Sequence, residues 1–243
     1  MINIQNISKR FGKLHVLKDV SLDLQGGQCI ALIGPNGSGK TTLIKSILGM
    51  VVPQSGDILF KGASIAKEWT YRNHIGYMPQ IGRYPENMTI GQVLNMMRDI
   101  RKVSKTELDN DLFEVFELGS MLDKRMGTLS GGTRQKVSAC LAFMFKPDVL
   151  ILDEPTAGLD PVATELLKDK IIAEKSNNKL IIITSHVLSD LDDLVTEVIY
   201  MQDGQPLFHQ SLESLKTETG TNRLGKAIAQ VMSKQKPKSV VHE

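Results

Sequence analysis

The sequence predicts an α/β fold: a mostly parallel central sheet, an N-terminal antiparallel β part and an inserted helical subdomain. Three observations lead to it. The apolar run Cys29-Ile30-Ala31-Leu32-Ile33 leads directly into the glycine-rich stretch Gly34-Pro35-Asn36-Gly37-Ser38-Gly39-Lys40-Thr41-Thr42, and a helical segment over residues 43–48, closed by Gly49, follows. Residues 149–152 and 180–183 are two more unbroken apolar runs, as expected of parallel strands covered on both faces. Residues 89–146 repeat apolar side chains at helical rather than strand spacing.

Residues 1–33 read as strands. Ile2, Ile4 and Ile7 begin an alternation that Val16-Leu17 and Val20-Ser21-Leu22-Asp23-Leu24 continue, and Gly26-Gly27 turns the chain toward Cys29. Phe11, beside Gly12 in a polar turn, is either a stacking platform for a nucleobase or an edge residue of the core. The next loop has the spacing G-x-x-x-x-G-K-T. Gly34, Gly37 and Gly39 let the backbone turn tightly and aim successive N–H groups inward as an anion nest. The helix starting there adds unpaired N–H donors and a partial positive charge. Lys40 is placed to reach β- and γ-phosphates, and the Thr41 hydroxyl to ligate Mg²⁺.

Pro53-Gln54-Ser55-Gly56 reads as a turn, Asp57-Ile58-Leu59-Phe60 and His74-Ile75-Gly76-Tyr77-Met78 as strands, and residues 81–88 as a loop. Residues 89–146 then read as helices. Thr89-Ile90-Gly91-Gln92 is a capping box opening a helix with Ile90, Val93, Leu94 and Met97 on one face. Ser104-Lys105-Thr106-Glu107 is a second box, followed by Leu108, Leu112, Val115 and Phe116. Six of the eleven methionines, counting Met88, lie in residues 81–146; thioethers are soft enough for Cu(I), but the helical spacing favours packing.

Leu129-Ser130-Gly131-Gly132 precedes an apolar helix over residues 137–145, a second serine- and glycine-marked helix start able to receive an anion. Asp153-Glu154 ends the run at 149–152, where ligands bind in open α/β sheets. Asp153 is placed to hold Mg²⁺ and Glu154 to polarise a water, since adjacent acids repel unless a cation sits close. Asp160-Pro161 is an N-cap followed by a first-turn proline. His186, just past residues 180–184, can reach a γ-phosphate. Strands follow at 197–201 and 206–208, then a helix near 223–232 and a disordered tail over 234–243. The expected organisation is a core over 1–80 and 147–210, a helical subdomain over 81–146, and a C-terminal helix and tail over 211–243.

Composition sets limits. The chain has 243 residues, 41% of them hydrophobic, and a net charge of +2, which gives no electrostatic reason to expect a nucleic-acid partner. No apolar run approaches the roughly 18 residues of a membrane span, and the N-terminus lacks the regions of a signal peptide. Cys29 and Cys140 form no C-x-x-C pair and read as reduced core thiols of a cytosolic protein.

Taken together, the motifs resemble the ATP-binding cassette (ABC) family, the nucleotide-binding subunits of ABC transporters, over residues 2–210. The resemblance implies a P-loop NTPase fold and ATP hydrolysis with Mg²⁺. Phe11 resembles the family's adenine-stacking aromatic, residues 34–42 its Walker A loop, and Gln80 its Q-loop glutamine, which touches Mg²⁺ and reports to the membrane subunit. Ser130, Gly131 and Gly132 resemble its signature loop, Asp153 and Glu154 its Walker B aspartate and catalytic glutamate, Asp160 its D-loop aspartate, and His186 its switch histidine. Implied partners are a second copy of the chain, stacked head to tail, and an integral-membrane subunit. Implied location is the cytoplasmic face of the inner or plasma membrane. Thr133 stands where the family signature usually has glutamine, with Gln135 two places on. Residues 130–163 are locally similar to the NosF-type subfamily, ATPases of a copper- or sulfur-linked exporter, with a periplasmic accessory protein, that matures nitrous-oxide reductase. Two rival readings are a soluble ATPase module in iron–sulfur assembly or on nucleic acid, and a P-loop kinase. The kinase leaves Ser130 to Gly132 and His186 unexplained.

Overall fold

The structure is a computed structural model and describes residues 1–235. Its N-terminal part is a hairpin of β1 (Ile2–Phe11) and β2 (Leu14–Leu24), joined on the other edge of β1 by β4 (Ser55–Phe60) and β5 (Ala63–Ser64). The order is β2-β1-β4-β5 and every pairing is antiparallel. The second sheet contains β3 (Cys29–Ile33), β6 (Ile75–Met78), β7 (Val149–Asp153), β8 (Leu180–Thr184), β9 (Glu197–Gln202) and β10 (Gln205–Ser211). Its order is β10-β9-β3-β8-β7-β6; all neighbours are parallel except β10, an antiparallel edge strand.

Strand β3 shows why unbroken apolar runs were required. Its five residues are all buried, and they alternate between two cores. Ile30 and Leu32 join Ile2, Ile4, Leu43 and Ile44, between the central sheet, the antiparallel sheet and α1 (Lys40–Ile47). Cys29, Ala31 and Ile33 join the other core. That core is covered by α2 (Ile90–Arg101), α4 (Gly131–Phe143), α5 (Pro161–Ser176), α6 (Leu212–Thr219) and α7 (Leu224–Gln235). Period-2 geometry sends alternate side chains to opposite faces, so a strand between two cores must be apolar throughout.

The helical block is less regular than its sequence pattern predicts. The capping box at Thr89 is made, with Gln92 N–H donating to Thr89 Oγ1 at 3.2 Å and Thr89 N–H to Gln92 Oε1 at 2.9 Å. The box at Ser104 closes, but it caps only a 3-10 turn over Lys105–Glu107. The next helix, α3 (Asp111–Val115), has five residues, and Val115 is exposed. Capping specifies how a helix begins, not how far it runs; Leu108 is already extended, with ψ 150°. Lys170 of α5, buried, ties this irregular segment down through Asp109 at 2.6 Å and Asp111 at 2.7 Å.

Other boundaries also differ. Ser55 and Gly56 belong to β4 rather than to a turn, with Gly56 at φ 79° beside the carbonyls of Gln5 and Asn6. His74 ends a 3-10 turn instead of opening β6. Helix α6 was not anticipated. Its cap is Ser211, whose Oγ accepts from Ser214 N–H at 3.1 Å, and its short length gave too little periodicity to read. Of the expected disordered tail, residues 234–235 fall inside α7, and 236–243 lie outside the described residues. Among the described residues no helix is long and apolar enough to cross a membrane.

Candidate functional site

The β3–α1 loop is shaped by three glycines at positive φ: Gly34 at 148°, Gly37 at 79° and Gly39 at 105°. Two of them also lack room for a side chain. A Cβ on Gly34 would lie 2.1 Å from the Met201 carbonyl oxygen, and one on Gly39 would lie 2.8 Å from that of Val16. The loop thus rests against β2 and the β9–β10 turn, with Gly204 N–H donating to the Ser38 carbonyl at 3.2 Å. Lys40 folds back over it. Its Nζ donates to the carbonyls of Gly34 at 2.7 Å and Pro35 at 3.0 Å. Burial draws the Lys40 ammonium down from its ordinary pKa, partly offset by the nearby carboxylates of Glu154 and Asp153. The Ser38 hydroxyl is buried without a hydrogen-bond partner. A cationic side chain parked on carbonyls and an orphaned hydroxyl fit a cradle whose partner is an anion.

The neighbouring strand ends supply the acidic half. Asp153, last residue of β7, accepts a 2.5 Å hydrogen bond from Thr184 Oγ1 at the end of β8. Glu154 follows at φ 54°, a left-handed conformation that costs a non-glycine residue roughly 1–2 kcal/mol. Its N–H donates to the Thr184 carbonyl at 3.1 Å. Glu154 Oε2 accepts from His186 N–H at 3.2 Å, and its Oε1 lies 3.4 Å from His186 Nε2. The Glu154 side chain is 13% exposed and that of His186 61%, so the histidine is the one facing solvent. These groups share a cleft of about 250 Å³ lined by residues 36–42, Gln80, Asp153, Glu154, Thr184 and His186, with Leu14 and Val16 at one side.

Most of the sequence-predicted residues therefore converge: Asn36, Gly37, Ser38, Gly39, Lys40, Thr41, Thr42, Gln80, Asp153, Glu154 and His186 line one cleft, and Gly34 and Pro35 hold Lys40 at its edge. Thr41, Gln80 and Asp153 offer only oxygen donors with an amide, the donor chemistry that suits a hard cation such as Mg²⁺. Phe11 lies at the end of β1, 51% exposed, opposite Leu14 in the hairpin and outside the lining, with Lys9 Nζ 5.3 Å from its ring centre.

Ser130, Gly131 and Gly132 stand apart from the cleft. Ser130 caps α4, accepting from Thr133 N–H at 3.2 Å. Thr133, the departure from the signature, adds its hydroxyl 2.9 Å from Ser130 Oγ. Asp160 caps α5 through Ala163 N–H at 2.8 Å and pairs with Lys136 at 2.9 Å. Leu14, Val16 and Thr184 were not identified from sequence. Thr184 carried a signal, since it ends the strand beside Asp153; Leu14 and Val16 carried none, as their role depends on how β2 crosses the loop.

Comparison with known proteins identifies the family and the fold. Residues 17–157 match the ABC transporter family. The uncharacterised ABC transporter ATP-binding protein YhaQ of Bacillus subtilis is 33% identical over 224 residues, covering 90% of this chain and 74% of YhaQ. The Nod factor export ATP-binding protein I of Burkholderia lata is 31% identical over 210 residues, covering 85% and 69%. A solved ATP-binding subunit of an ABC transporter superposes with a TM-score of 0.88 at 27% identity, over 96% of this chain and 99% of that one. The chain is a member of the ABC transporter family, an ABC-type ATPase with the family's P-loop α/β fold.

Proposed function

We propose that two copies of this chain stack head to tail and that ATP hydrolysis between them drives an integral-membrane exporter subunit. The observation that carries this is the separation of two anion sites. The cleft gathers the phosphate loop, Asp153, Glu154 and His186, while the helix start at Ser130 to Gly132 is not part of its lining. A γ-phosphate gripped by one copy's Lys40 and the other copy's Ser130 would use both. ATP would draw Lys40 off the carbonyls of Gly34 and Pro35 and onto its phosphates. Glu154 would polarise the attacking water, and Lys40, Ser130 and His186 would stabilise charge on the transferred phosphoryl group. Mg²⁺, held by Thr41 and Asp153 with Gln80 close by, would neutralise charge on the β- and γ-phosphates.

Complementation tests the stacking. Lys40→Ala and Ser130→Arg chains are each expected to be inactive alone. Mixed, they should regain activity, because one of the two shared sites then carries neither change. No recovery on mixing rules out sites built from two chains. The test is independent of cargo.

Export as the direction is supported by the similarity to Nod factor export proteins. For cargo, residues 130–163 favour the NosF-type reading, a copper- or sulfur-species exporter with a periplasmic accessory protein. In that reading specificity lies in the membrane subunit. Cys29 and Cys140 are buried thiols, pushed up to about 12 chiefly by burial, and among the described residues no His, Cys, Asp and Glu cluster could hold a metal ion. Affinity purification from solubilised membranes checks both points. A multi-span partner supports the transporter, and its absence favours a soluble ATPase module.

A further inference from the structure

Glu154 is held in its left-handed conformation by contacts on both sides of its peptide. Its N–H is fixed by the Thr184 carbonyl at 3.1 Å, within the sheet. Its carbonyl accepts from Ala157 N–H at 3.2 Å, within its own turn. A third contact comes from elsewhere: Gln135 Nε2 donates to the Glu154 carbonyl at 3.2 Å and reaches that of Pro155 at 3.5 Å. Gln135 is 6% exposed and does not line the nucleotide cleft. A buried amide is costly unless its hydrogen bonds are made, and this one spends its donors on two main-chain carbonyls next to the acid. Gln135 sits in α4, five residues after Ser130. Two neighbouring contacts bind the same helix to the same loop: Lys136 pairs with Asp160 at 2.9 Å, and Gly132 is so close to the Gly158 carbonyl that a Cβ would lie 2.7 Å from it.

We infer that Gln135 is a positioning residue for ATP hydrolysis: it clamps the peptide after Glu154 and so holds that carboxylate opposite His186. Without the clamp, the Glu154 backbone is free to relax from φ 54° toward the right-handed region, which swings its Cβ and carboxylate out of line. The phosphate loop does not depend on Gln135, so nucleotide affinity is expected to stay. The inference rests on Glu154 acting as the group that polarises water.

The test compares Gln135→Met, similar in size but without a donor, with Gln135→His, whose Nε2 can donate from nearly the same point. Gln135→Met is expected to lower kcat by about tenfold to a hundredfold with KM for ATP within about twofold, the scale of a small misplacement of a reacting group. Gln135→His is expected to recover most of that loss. Wild-type kcat in the Met variant overturns the inference. So does a His variant as slow as the Met variant, or a loss of ATP affinity in step with kcat, since either points to packing alone. Should the Met variant fail to fold, Gln135→Glu, equal in size and lacking the donor when ionised, carries the same criteria. Glu154→Gln is measured alongside. If it keeps near wild-type turnover, the role given to Glu154 is wrong; if it is inactive while Gln135→Met is normal, only the present inference fails.

Discussion

The two glycine-bearing helix starts of this chain look alike in sequence and differ in build. The loop before α1 is a closed cradle. Three glycines at positive φ curve it, the Met201 and Val16 carbonyls press on it, and Lys40 folds over it. The start of α4 is an ordinary capped helix. Neither Gly131 nor Gly132 has a positive φ, nothing lies within 4 Å of a Cβ placed on Gly131, and the Ser130 hydroxyl caps its own helix. An anion can be surrounded by the first loop but only touched by the second. Physical likeness at a helix N-terminus therefore does not make two equivalent sites; the surroundings decide which is complete.

The comparison can be broken in several ways, beginning with the largest effect. Lys40→Ala removes the cation folded onto the cradle, so nucleotide affinity should fall by roughly a hundredfold or more in titration with a fluorescent ATP analogue. A matching loss in Ser130→Ala, measured on the monomer, would show that the second loop already belongs to the first site. Gly34→Ala should cost more than about 2 kcal/mol in denaturant unfolding, because its Cβ would collide with the Met201 carbonyl and its φ is 148°. Gly131→Ala should be neutral or stabilising by up to about 1 kcal/mol, since it meets open space inside a helix. Equal costs for the two alanines would erase the distinction between cradle and cap. Ser130→Ala should cost about 1 kcal/mol for the lost cap, less if the nearby Thr133 hydroxyl compensates.

A second contrast separates the α/β core from the helical block. In the core, unbroken apolar runs and G-x-x-x-x-G-K-T spacing located β3, β7, β8 and the phosphate loop almost to the residue, because burial on both faces leaves few sequence alternatives. In residues 102–128 the pattern promised a longer helix and the chain makes short turns, anchored by the buried Lys170 to Asp109 and Asp111. No local signal announces a lysine 59 residues away from its partner.

The amino-acid order alone determined the sheet's apolar strands, both glycine-marked helix starts, and the acids and histidine at strand ends. Those are local properties, set by side-chain periodicity, φ preferences and charge within a few positions. The fold alone decided that Lys40 rests on its own loop, that Thr184 braces Asp153, that Gln135 grips the peptide after Glu154, and that Ser130 lies off the cleft. Each joins a group to an element whose distance along the chain bears no relation to its distance in space, so only the packing of strands and helices could bring them together.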